Sequence, residues 1–221
     1  MTSGSHKVRK GETLYAIAWR FGWDYRALAR ANHIAPPYTI YPGQVISLAG
    51  KSPASSTPSR ASRHHSPRTV SHSKPARKAA SPPAPVASKP SSSVATSGPL
   101  QWHWPASGKV VESYSSNSHG QKGIAISGRH GAPVIAAAPG TVVYRGSGLT
   151  GYGNLVIIKH NDRWLSAYAH NDKMLVKEGQ SVTGGQQIAT MGASGTYRTQ
   201  LHFEIRRDGK PVNPLHYLPK R

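Results

Sequence analysis

Two histidines and a glutamine are the residues whose types and spacing suggest chemistry. His170 closes the segment Tyr168-Ala-His170, and His202 stands in Gln200-Leu-His202. Imidazole can ligate a metal or move a proton near neutral pH. Residues i and i+2 of a strand face the same way, so an extended segment presents Gln200 and His202 together. A catalytic zinc asks for three protein ligands and an open position for water. The chain contains no cysteine, which excludes thiolate ligands and a disulfide framework. Absence of cysteine fits a reducing compartment and a periplasm equally.

The elements that must position these residues are short strands. Candidates are Gly108–Val111, Gly123–Ser127, Pro133–Ala136, Gly140–Gly146, Asn154–His160, Leu165–Ala169, Gln187–Met191 and Leu201–Arg206. Turn residues punctuate them, as in Pro139-Gly140 and Gly151-Tyr-Gly153, and no useful helical period intervenes. Residues 100–221 therefore read as an all-β antiparallel domain.

The rest of the chain differs in kind. Residues 51–99 are almost wholly Ser, Pro, Ala, Thr, Lys and Arg, with no acidic residue. Such a stretch cannot bury enough apolar surface to offset its ordering entropy, and it reads as an extended basic linker. The linker argues that the segments it joins move independently. Residues 1–6 are small and polar, unlike a signal peptide, and read as a tag or disordered start. Residues 7–50 read as strand, helix, helix, strand. Lys7-Val8-Arg9 is the first strand, and Gln44–Leu48 alternates as the second. Thr13 can cap a helix carrying Leu14, Ile17, Ala18 and Phe21, which Gly22 stops; Asp24 can cap a second.

The pattern Val8-x-x-Gly11-Glu12-Thr13-Leu14-x-x-Ile17-Ala18, with Leu28, Asn32-His33-Ile34 and Ile40-x-x-Gly43-Gln44-x-Ile46, resembles a LysM domain. The resemblance implies a βααβ fold that binds N-acetylglucosamine-containing glycans, peptidoglycan above all. It places the groove between the Gly11–Leu14 loop and the segment Asn32–Tyr38, with Gly11, Thr13, Leu14, Asn32, Ile34 and Tyr38 as glycan-contact candidates. Leu14, Ile17 and Leu28 also suit a core. Trp19, Trp23 and Tyr25 could stack on sugar or pack against the helices.

The C-terminal region resembles the M23, or LytM-type, peptidases. The matching segments are Gly123-Ile-Ala-Ile126, Gly131-Ala-Pro-Val134, Gly151-Tyr-Gly-Asn154, Tyr168-Ala-His170, Leu201-His-Phe-Glu-Ile205 and Pro211-Val-Asn-Pro214. That family takes its zinc ligands from a His-x-x-x-Asp motif and from the second His of a His-x-His motif. Here the first motif falls on Gln121-Lys-Gly-Ile-Ala125, and the second reads Gln200-Leu-His202. A carboxamide and a methyl replace two ligands, and Gln200 replaces one catalytic histidine. His202, at a ligand position, and His170, at the other catalytic position, remain. One neutral donor cannot hold zinc, so no metal or other cofactor and no catalytic residue is expected. His119 lies two residues before Gln121, out of register as a substitute ligand.

A groove without its metal can still bind. LysM, basic linker and degenerate LytM domain together resemble the NlpD-like and EnvC-like murein hydrolase activators. The resemblance implies a non-catalytic activator of periplasmic N-acetylmuramoyl-L-alanine amidases in daughter-cell separation. Its groove would comprise Gln121, Ala125, His170, Gln200 and His202, with Ser113–Lys122 as a candidate cover. His170 and His202 read equally well as binding groups and as hydrogen-bonded relics. Two alternatives stay open: an M23 zinc endopeptidase with unconventional ligands, and a passive peptidoglycan-binding envelope protein.

The formal charge of +20 favours polyanionic partners. No nucleic-acid-binding signature accompanies it, so nucleic acid is not expected. The expected location is the periplasm, with membrane contact only through an outer-membrane lipid anchor on a native precursor. No apolar run is long enough to span a bilayer.

Overall fold

Thr13 opens the first helix by accepting a hydrogen bond from the Ala16 amide on its hydroxyl, at 3.2 Å. The computed structural model describes residues 4–49, 100–116 and 122–221; the expected linker 51–99 lies outside the described residues. Strand β1 (Ser5–Lys7) leads into helix α1 (Leu14–Phe21), helix α2 (Tyr25–Ala31) and strand β2 (Val45–Ser47). Gly22 ends α1 in the left-handed region at φ 70°. Asp24 caps α2 by accepting from the Ala27 amide at 2.9 Å. Strands β1 and β2 pair antiparallel, with His6 opposite Ile46.

The first strand therefore begins at Ser5, inside the stretch expected to be a tag or disordered start. Pairing with β2 holds it, and the His6 ring lies 2.7 Å from the Glu12 carboxylate.

The C-terminal region forms β3 (Val110–Glu112), β4 (Ile124–Ser127), β5 (Pro133–Ile135), β6 (Gly140–Gly146), β7 (Asn154–Lys159), β8 (Trp164–Met174), β9 (Ser181–Val182), β10 (Gln187–Met191), β11 (Gln200–Arg207) and β12 (Lys210–Val212). The main path runs β3-β4-β11-β8-β7-β6-β9, and every pairing is antiparallel. Strand β10 pairs with β5 and β8, and β12 pairs with β11. A single 3-10 turn at Pro214–His216 follows.

Side-chain alternation sorts the strands into two faces. Ile124, Ile126, Val156, Ile158, Tyr168, Leu201, Phe203 and Ile205 fill the interior. The intervening residues Leu155, Ile157, Leu165, Ala167 and Ala169 point to the opposite face. That face is not open to solvent. It forms one apolar cluster with Leu14, Ile17, Trp19, Tyr25 and Leu28 of the N-terminal helices.

The linker's composition suggested two independent domains, but the helical unit is docked. The linker signals freedom, while the buried face of β6 to β8 supplies a surface that must be covered. An ion pair and a hydrogen bond fringe the contact: Arg26 reaches Asp208 at 3.4 Å, and the Tyr25 hydroxyl donates to Asp162 at 3.3 Å.

Candidate functional site

Strand β11 places the retained histidine. Its register sets Ala125 of β4 on one side of His202 and Ala169 of β8 on the other. Ala125 is fully buried, so a methyl closes the position beside the imidazole. Gln200 lies two residues earlier on the same face. It is buried, and its Oε1 has no hydrogen-bond partner among the described residues.

His170 arrives from β8, its ring centroid 6.1 Å from that of His202. Its backbone is left-handed at φ 63°, an uncommon state for a residue with a side chain. Two bonds fix that conformation. The His170 amide donates to the Tyr152 carbonyl at 2.9 Å, and Nδ1 donates to the Ser194 carbonyl at 2.8 Å. Burial lowers the His170 pKa below the ordinary histidine value and favours the neutral ring.

The Gly151-Tyr-Gly-Asn154 motif has a physical reason here. Gly153 sits at φ 58°, and a Cβ there would lie 2.0 Å from the Ser194 carbonyl oxygen. Only glycine lets the loop approach the carbonyl that His170 needs.

Four predicted groove residues, Ala125, His170, Gln200 and His202, thus come together. Gln121, His119 and half of the candidate cover fall in 117–121, outside the described residues. Among the described residues, no cluster of three His, Cys, Asp or Glu side chains could hold a metal ion.

Beyond the predicted set, the same face of β11 carries a buried polar row. Glu204 is 1% exposed. Its Oε1 accepts from His202 Nε2 at 3.0 Å and from the Tyr152 hydroxyl at 2.8 Å. Its Oε2 accepts from Arg206 Nε at 3.2 Å and Nη2 at 3.1 Å. Burial pushes the Glu204 pKa up, but Arg206, His202 and Tyr152 outweigh it and hold the carboxyl below its ordinary value. Arg206 Nη1 then donates to the Trp19 carbonyl at 2.8 Å, and the guanidinium stacks 3.6 Å from the Trp19 ring centroid. The sequence held a signal for this row. Residues 200, 202, 204 and 206 alternate as polar positions with Leu201, Phe203 and Ile205 between them.

The predicted glycan contacts divide. Gly11 is exposed at φ 82°, while Thr13, Ile34 and Tyr38 are half-buried. Leu14 lies in the core at 1% exposure, so its side chain has no surface to offer sugar. Asn32 is occupied structurally. Its Nδ2 donates to the Leu28 and Ser47 carbonyls at 2.9 and 3.0 Å, and its Oδ1 accepts from the Ser47 amide at 2.7 Å. Tyr38 packs edge-on against Tyr25, with centroids 5.4 Å apart.

Two family models match the chain: LysM domain over residues 6–49 and Peptidase family M23 over residues 119–214. A lipoprotein NlpD/LppB homolog of Pseudomonas aeruginosa is 56% identical over an alignment spanning all of this chain and 79% of that protein. The chain belongs to the NlpD family. The murein hydrolase activator NlpD of Salmonella typhimurium is 43% identical across the whole chain and 70% of its own length. Among solved structures, Helicobacter pylori Csd3 matches at 28% identity with a TM-score of 0.50, over 55% of this chain and 34% of that one. Within this NlpD-family chain, the β domain thus keeps a peptidase scaffold around an altered set of side chains.

Proposed function

We propose that this chain is a non-catalytic activator of a periplasmic N-acetylmuramoyl-L-alanine amidase, held at peptidoglycan by its LysM domain. One observation carries the reading. Among the described residues the strands that position His170 and His202 are in place, while Ala125 puts a methyl beside His202 where a zinc site needs a carboxylate. Gln121 adds a carboxamide at the other ligand position. The side chains present do not fit a catalytic zinc, which requires three protein ligands. No hydrolytic step is assigned to this chain.

What remains can recognise a protein. His170, Gln200 and His202 are buried polar groups gathered on neighbouring strands, and Gln200 Oε1 has no partner among the described residues, so opening this site would present an acceptor to a protein's polar groups. Activation requires only a difference in affinity between two states of the amidase. A preference of about 3 kcal/mol for the open form raises the open-to-closed ratio on the order of 100-fold. The names of the relatives support this reading, since one is a murein hydrolase activator and another a lipoprotein. They also support an envelope location.

The test is reconstitution. Purified chain mixed with each amidase of the source organism on dye-labelled sacculi should release more dye than the amidase alone. Alone, it should release none, with or without chelator, and should carry substoichiometric zinc. His170→Ala and His202→Ala should reduce the stimulation. No stimulation of any amidase would end the proposal, and chelator-sensitive release by the chain alone would replace it with an endopeptidase.

A further inference from the structure

The groove and the docked LysM helices share one face of the sheet. Along β11 that face runs Gln200, His202, Glu204, Arg206, from groove to domain contact, and each of these residues is buried. The hydrogen bonds are continuous. Trp19 of α1 accepts from Arg206, Arg206 donates to Glu204, and Glu204 accepts from His202.

Each link has little freedom. Arg206 spends Nη1 on the Trp19 carbonyl, spends Nε and Nη2 on Glu204, and stacks on the indole. A planar fork fixed at both ends cannot shift without releasing the carboxylate it holds. Glu204 in turn grips the His202 ring by Nε2, which fixes both its orientation and its tautomer.

Solvent reaches this contact. A cleft of about 380 Å³ opens along the seam, with Trp19 and Arg20 on one side and Leu149, Tyr152 and Arg206 on the other. The contact therefore has an open edge from which it can part.

We propose that the groove is a two-domain site, in which Trp19 of the LysM domain and Arg206 are positioning residues for His202. The proposal rests on the reading of this site as a protein-binding groove. It adds that the domain holding the wall also sets the groove's shape. LysM docking and groove conformation are then one equilibrium, and a ligand that alters docking alters the groove.

The experiment uses the full chain with Arg26→Glu and Trp19→Ala, and reads the His202 ring by two-dimensional NMR at fixed pH. Arg26 lies outside the polar row. Glu in its place suits the first turn of α2 but faces Asp24 and Asp208, which lie 3.6 and 3.4 Å from the present guanidinium. Trp19→Ala removes the stacking surface directly. The expected result is displaced His202 ring signals in either folded variant, with a several-fold loss of amidase stimulation. His202 signals unmoved in both variants overturn the proposal. Failure of the wild-type chain to stimulate any amidase removes the activator reading alone, because the His202 readout needs no amidase.

Discussion

Replacing Arg206 with Met would leave Glu204 buried without its cation. The side chains of Arg206 and Glu204 are 6% and 1% exposed, so water can take over little of the lost interaction. Glu204 would keep Tyr152 and His202 as donors but lose both bonds to the guanidinium. Breaking a buried pair from one side costs about 3–5 kcal/mol. For a folded unit of this size each kcal/mol lowers Tm by about 2–4 °C, giving a fall of roughly 6–20 °C. Urea unfolding at pH 7 measures the cost. Arg129→Met, at an exposed site, serves as the control and should stay within about 0.5 kcal/mol of wild type. Adding Glu204→Gln to Arg206→Met should recover part of the loss, because the stranded charge is gone. If Arg206→Met costs no more than Arg129→Met, the Glu204–Arg206 pair is not buried as described.

Other outcomes follow from single sites. Asn32→Ala removes three hydrogen bonds, two of which tie the end of α2 to Ser47 of β2. It should destabilise the LysM domain by about 1–3 kcal/mol in thermal unfolding. Tyr38→Ala, at a half-buried site, should weaken sedimentation with purified sacculi several-fold. His160 is buried against Pro139 and Ser166, and burial draws its pKa from 6.5 down to about 4. The unfolded chain binds the proton first as pH falls, so this stability is complete above about pH 6.5 and is lost between there and about 4. Across that interval it amounts to about 3 kcal/mol, and His160→Gln should flatten that part of the stability-pH curve.

Much of the fold was legible because local chemistry and tertiary structure agree. Thr13, Gly22 and Asp24 act at the helix ends as their types suggest. Strands β6 and β10 occupy the expected residues because turn glycines bound them clearly. Strands β9 and β12 escaped notice, since two or three residues carry no alternation. Strand β8 runs five residues past its expected end at Ala169 because His170 crosses a positive φ without breaking the strand. Motif spacing picked out Ala125, His170, Gln200 and His202, and the sheet register sets them on neighbouring strands. Glu204 and Arg206 were missed because they lie two residues apart within one apolar motif. Their partner Trp19 lies 187 positions from Arg206 in the chain, beyond the reach of any local pattern.

The Trp19–Arg206 stack also bears on how freely this protein's parts can be exchanged. LysM modules look portable, since each has its own caps and small core. A graft lacking an indole that meets Arg206 would fold well enough by itself. It would leave the guanidinium unstacked at the centre of the graft boundary, with only a backbone carbonyl of the module to hold it. Chimeras of this chain should therefore be joined as matched pairs, with the residue facing Arg206 carried across together with the sheet that supplies it.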